Sequence, residues 1–164
     1  MKDPYPEIVE RIQLQLSDLD RLVKRALLSW SHAKESRDEQ RLYLDAVALN
    51  LHGFYSGLER LFELIARHVD LMLPEGEKWH YKLLKQMTED KKDIRPAVIN
   101  HEIFSLLDEF RRFRHLVRNV YTFNLDPEKM KKLMSDLPDL WLQVKNELKA
   151  FSDFLSDISQ AITE

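Results

Sequence analysis

Apolar residues recur at steps of three and four along nearly the whole chain, the spacing that keeps side chains on one face of a helix. Ile8, Ile12, Leu16, Leu19, Val23, Ala26 and Trp30 mark a first long helix to about Lys34, started by Asp3 as cap and Pro4 in the first turn. Ser36-Arg-Asp-Glu39 has the form of a capping box, so a second helix should begin there, with Leu44, Val47, Leu51, Phe54, Leu58, Leu61, Ile65 and Val69 as its stripe. The short connection makes these two helices antiparallel neighbours.

Gly53 and Gly57 lie inside the second helix, where each costs about 1 kcal/mol relative to alanine. Close approach of another helix would offset that cost. Pro74-Glu-Gly76 ends the helix, and Lys78 to about Asp90 forms a short third one carrying Trp79, Leu83, Leu84 and Met87. A polar loop from Lys91 to Asn100 comes next, and Asn100 can cap a fourth helix whose stripe is Ile103, Leu106, Phe110, Phe113, Val117 and Val120. Thr122 to Leu125 is a linker, after which Asp126-Pro127-Glu128 signals another start. Pro138 should interrupt the last helical stretch, leaving a short turn and then a longer helix from about Leu137 that buries Trp141, Val144, Leu148, Phe151, Leu155, Ile158 and Ile162.

Such a chain is all-α: an antiparallel bundle of four long helices with short helical insertions, in one domain covering residues 1–164. Composition agrees, with three glycines in 164 residues, 44% hydrophobic and 32% charged. A net charge of −3 excludes a generally basic, nucleic-acid-coating protein, so any RNA contact must come from a local patch. With no cysteine there is no disulfide framework, thiolate nucleophile or zinc-thiolate site. The six histidines show no pair four apart, so neither a metal nor another cofactor is expected. The beginning lacks a signal peptide's apolar core, and no apolar run approaches the ~18 residues a membrane span needs, which makes the cytoplasm the default compartment.

Chemistry is concentrated between Glu109 and Tyr121. Phe110, Phe113, Val117 and Val120 form a buried face there, while Arg111, Arg114, Arg118 and Tyr121 step along an adjacent one. Asp108 and Glu109, the nearby acids in sequence, are too few to pair Arg111, Arg112, Arg114 and Arg118, so a phosphate-bearing ligand or an acidic partner is one reading. A solvated basic face, or arginines paired with acids elsewhere in the same fold, is the other.

Several pieces together resemble the HepT-like branch of the HEPN superfamily, ribonuclease toxins paired with a minimal nucleotidyltransferase antitoxin. They are His52-Gly-Phe-Tyr-Ser-Gly-Leu-Glu59, Trp79-His80 with Leu83-Leu84, Arg95-Pro96-Ala97-Val98, Phe110 through Tyr121, and Leu137-Pro138-x-Leu140-Trp141. The resemblance implies a metal-independent endoribonuclease acting on RNA, transfer or messenger, in which the ribose 2′-OH attacks the adjacent phosphate at a composite site in a two-fold homodimer.

The family's signature is an arginine, four residues, a histidine, one residue and a tyrosine. Here the arginine is Arg114 and the tyrosine Tyr121, but the histidine position holds Asn119. An amide neither takes nor gives a proton, so the catalytic set Arg114, Asn119 and Tyr121 describes an impaired nuclease, or a non-catalytic module that binds RNA or the nucleotidyltransferase. Arg111, Arg118 and His115 are candidate contacts to RNA phosphates. His115, a turn before Asn119, lies roughly 40° around the helix and 6 Å back, poorly placed to stand in. Residues 114 and 119 lie roughly 140° apart around one helix, which itself argues for two copies of that helix sharing a cleft. By the same resemblance Tyr121 is where the antitoxin attaches adenylate.

Overall fold

The computed structural model describes residues 2–119 and 125–163, without the side chains at 118 and 119. Five helices succeed one another among the described residues: α1 (Tyr5–Glu35), α2 (Gln40–Ile65), α3 (Trp79–Gln86), α4 (His101–Asn119) and α5 (Pro127–Thr163). A π-helical turn, Ala66–Asp70, extends α2 before the chain leaves through Leu71 in the left-handed region at φ 55°. Each long helix packs on two others, α1 on α2 and α5, and α4 on α2 and α5, which closes a four-helix bundle. The short α3 lies against α2 and α4.

The expected stripes supply most of the core, with Trp30, Leu106, Val117 and Ile158 only half-buried and Val120 outside the described residues. All eight residues named for α2 are buried, as are Ile8 through Ala26 of the α1 stripe. Phe54 stands at its centre, edge-on to Phe110 of α4 and to Trp141 of α5 with both centroids 5.8 Å away, so one aromatic cluster ties three helices. Trp141 Nε1 also donates to Asp20 of α1 at 3.0 Å. Hydrogen bonds from Lys24 and Trp141 hold the Asp20 carboxyl down at about 2.

Caps fall where the sequence puts them, with one shift. Asn100 Oδ1 accepts from the Ile103 amide at 2.8 Å, and Asp126 Oδ1 from the Glu128 amide at 3.0 Å. Ser36 Oγ accepts from the Glu39 amide at 3.4 Å, but α2 begins only at Gln40 and the Ser36 amide bonds the His32 carbonyl at 3.1 Å, so only the serine half of the expected capping box forms, in a turn before the helix. Two other expectations are corrected. Pro138 does not break the last helix, because it lies on the exposed side of α5, where water can satisfy the carbonyl it leaves unbonded, while buried Leu137, Leu140 and Trp141 hold the axis. Ile162, expected in the core, is exposed beyond the end of the packed region.

The two glycines of α2 behave as expected of a close helix crossing. A Cβ on Gly57 would meet Gln15 Nε2 at 2.6 Å and Leu19 Cδ2 at 2.7 Å, and Leu19 is wholly buried. On Gly53 it would meet only Leu22, at 3.3 Å. Gly57→Ala should therefore destabilise the bundle by about 1–2 kcal/mol, overpacking outweighing the better helix propensity. Gly53→Ala should be near neutral. Urea unfolding of both variants checks this, and equal stabilities would show that α1 does not approach α2 this closely in solution.

Candidate functional site

The arginine of the signature does not lie on a solvated face. Ile103, Leu107, Phe110 and Arg114 form one buried line along α4, so the Arg114 guanidinium is carried inward against α2, with the residue 7% exposed. There it meets an acid. Nη1 donates to Glu59 Oε1 at 3.0 Å and Nη2 to Glu59 Oε2 at 3.1 Å, a two-pronged pair, and Nη1 also reaches Ser56 Oγ at 3.3 Å. The guanidinium carbon lies 4.8 Å from the centre of the Tyr55 ring.

Glu59 has a second partner, His80, in the first turn of α3. Its Nδ1 lies 2.8 Å from Glu59 Oε2 and 3.0 Å from Arg114 Nη2. Trp79 packs beside the imidazole, ring centroids 3.6 Å apart. Three elements thus converge: Tyr55, Ser56 and Glu59 from α2, His80 from α3, and Arg114 from α4. Burial beside Glu59 pushes the Tyr55 phenol well above its ordinary range, and its hydroxyl finds no hydrogen-bond partner among the described residues.

The other basic residues are also partly answered within the fold. Asp108 takes Arg111 Nε at 2.7 Å and Arg112 Nη2 at 2.7 Å, so one carboxylate serves two guanidiniums. The shortage of acids inferred from sequence is corrected for three of the four arginines: Asp108 is shared by Arg111 and Arg112, and Glu59, 55 positions earlier, pairs Arg114. Arg111 also lies 5.5 Å from the Tyr81 ring of α3, next to His80. His115 points to the exposed side of α4. The backbone of Arg118 and Asn119 completes α4, but their side chains lie outside the described residues, as does Tyr121 altogether.

Neither Glu59 nor His80 stands out from sequence as a site residue, although both lie in the short runs that carry the family resemblance. A signal existed for Glu59. It falls four after Tyr55 and three before Phe62, within the apolar face of α2, and a carboxylate in that position requires a cation. For His80 there was none, since nothing local says that α3 turns its first residues towards α2.

The model of the HepT-like protein family matches residues 46–155, from within α2 to near the end of α5. The chain belongs to this family. No curated protein and no solved structure matches it. The matched span contains every residue of the Glu59–His80–Arg114 cluster. Among the described residues no helix is long and apolar enough to cross a membrane.

Proposed function

We propose that this chain is the toxin half of a toxin–antitoxin pair, an endoribonuclease that works without metal and is silenced by a nucleotidyltransferase antitoxin. The observation that carries the reading is the meeting of Arg114 with Glu59 and His80, residues from three separated motifs of the matched family region. In the proposed reaction the 2′ oxygen bonds to phosphorus, the bond to the 5′ oxygen breaks, and a cyclic phosphate and a 5′-hydroxyl result. Positive charge beside the phosphorane and a group that moves protons are what the chemistry needs. Arg114 supplies charge from behind the site, Arg111, Arg118 and His115 contact flanking phosphates, and two copies of α4 about a two-fold axis bring both signatures into one cleft. Tyr121 receives the adenylate, whose phosphate and bulk exclude RNA.

Asn119 limits the rate. Asn119→His should raise cleavage of cellular RNA in EDTA by about 100-fold or more, the usual worth of one positioned acid–base group. The check is a timed digest of total RNA by both versions, with the product ends identified. If neither version cuts while both are folded dimers free of adenylate, the ribonuclease reading fails. The reading that then stands is a non-catalytic module holding RNA or the nucleotidyltransferase, which the two-pronged Glu59–Arg114 pair also favours, since a guanidinium already paired has less charge to offer a phosphate.

A further inference from the structure

We propose that His80 is the general base of this site, its ring held by Glu59, while the acid that a histidine at position 119 would add stays absent. The inference rests on the ribonuclease reading and adds the residue that performs its proton transfer.

Two contacts decide where the imidazole proton sits. Nδ1 faces a Glu59 oxygen at 2.8 Å, and an unprotonated Nδ1 would set its lone pair against a carboxylate lone pair. The Arg114 Nη2 at 3.0 Å does not require that lone pair, because the same nitrogen already has Glu59 Oε2 as acceptor. On this geometry Nδ1 carries the hydrogen, and Nε2 is the nitrogen left to accept a proton. Imidazole geometry puts Nε2 on the ring's far side from Glu59. Burial agrees with that orientation: the side chains of Glu59 and Arg114 are 7% and 9% exposed, whereas that of His80 is 25% exposed. The imidazole is the part of the cluster that reaches solvent.

Glu59 on α2 and Arg114 on α4 face the ring, with Trp79 beside it on the same element, while Ser56 and Tyr55 of α2 lie against the Arg114 guanidinium. Glu59 fixes orientation and stabilises the imidazolium, while Arg114 fixes Glu59. With a neutral ring the one carboxylate and the one guanidinium cancel. When Nε2 takes the 2′-hydroxyl proton, the O2′–P bond forms and the cluster becomes singly positive as the phosphorane gains negative charge. The P–O5′ bond then breaks, the 5′ oxygen takes a proton from water, and Nε2 returns its own to solvent. An amide at 119 can still hydrogen-bond the phosphate.

His80→Asn tests the assignment, because its amide N–H can donate to Glu59 as Nδ1–H does while the proton-accepting nitrogen is lost. RNA cleavage in EDTA should fall by about 100-fold with the urea midpoint little changed. The kinetic constants give the second readout: the loss should lie in kcat with KM little changed, whereas a histidine that only shapes the site would move KM or the urea midpoint. If the unmutated chain cuts, and His80→Asn leaves kcat as it was, His80 is overturned and the ribonuclease reading stands. The same holds if only the Asn119→His version cuts. If no version cuts, both fall together.

Discussion

Arg95→Ala should destabilise the protein by about 3–5 kcal/mol, the range for removing one partner from a buried ion pair. The side chains of Arg95 and Asp70 are both fully buried. Nε donates to Asp70 Oδ1 at 2.6 Å and Nη2 to Oδ2 at 2.8 Å, while the remaining hydrogens go to the carbonyls of Glu89, Pro96 and Gln86 at 2.8, 3.0 and 3.2 Å. All five guanidinium donors are thus used. Gln86 closes the network by donating to Asp70 at 2.7 Å and to the Met72 carbonyl at 2.9 Å. Alanine would leave a carboxylate buried without its cation and take a donor from three carbonyls, of which, among the described residues, only that of Gln86 keeps another, the Glu89 amide at 3.1 Å.

The network also has a position that matters. It joins the π turn after α2, the end of α3 and the loop before α4, so it sets where α3, and with it His80, lies against the bundle. Arg95→Lys should fail as well, since an ammonium has three donors and no planar fork to match the carboxylate. Urea unfolding of both variants is the check, and a loss under about 1 kcal/mol would show that this network does not hold the loop in solution.

Most of the bundle was legible because its elements obey local rules. The stripe from Leu44 to Val69 and the caps at Asn100 and Asp126 depend on neighbours within a turn or two, and the structure keeps them. Where a residue's fate depends on a distant partner, the sequence was silent or misleading. Pro138 reads as a break because its missing N–H is a local fact, whereas its tolerance comes from buried neighbours and an exposed position. Arg111 and Arg114 read as one cationic row from their spacing. Helical phase alone cannot say that the Leu107, Phe110 and Arg114 line is the one turned to α2, nor that Glu59 waits there. The runs of chain that carry the family resemblance hold Glu59, His80 and Arg114, but the contacts that join them run between α2, α3 and α4.

Arg114→Ala should be the second costly change, again by about 3–5 kcal/mol, because it strands Glu59 in a site where its side chain is 7% exposed. Loss of RNA cleavage in that variant would therefore report on folding before it reported on catalysis. Replacing both partners together, Glu59→Leu with Arg114→Met, removes the stranded charge and should recover most of the stability, since apolar side chains of similar volume often replace a buried ion pair at little cost. Such a double variant should remain folded yet cut no RNA, having lost the holder of His80 and the charge behind it. Urea unfolding and the EDTA digest, run on the single and double variants, separate the two roles. A single Arg114→Ala variant as stable as the parent would mean that the guanidinium is not committed to Glu59 in solution and is available to a phosphate directly. That outcome would return Arg114 to the role the signature suggests, in direct contact with RNA. A loss of the expected size, recovered in the double variant, instead makes Arg114 the residue that positions the Glu59 carboxylate, through which the α3 histidine is aimed.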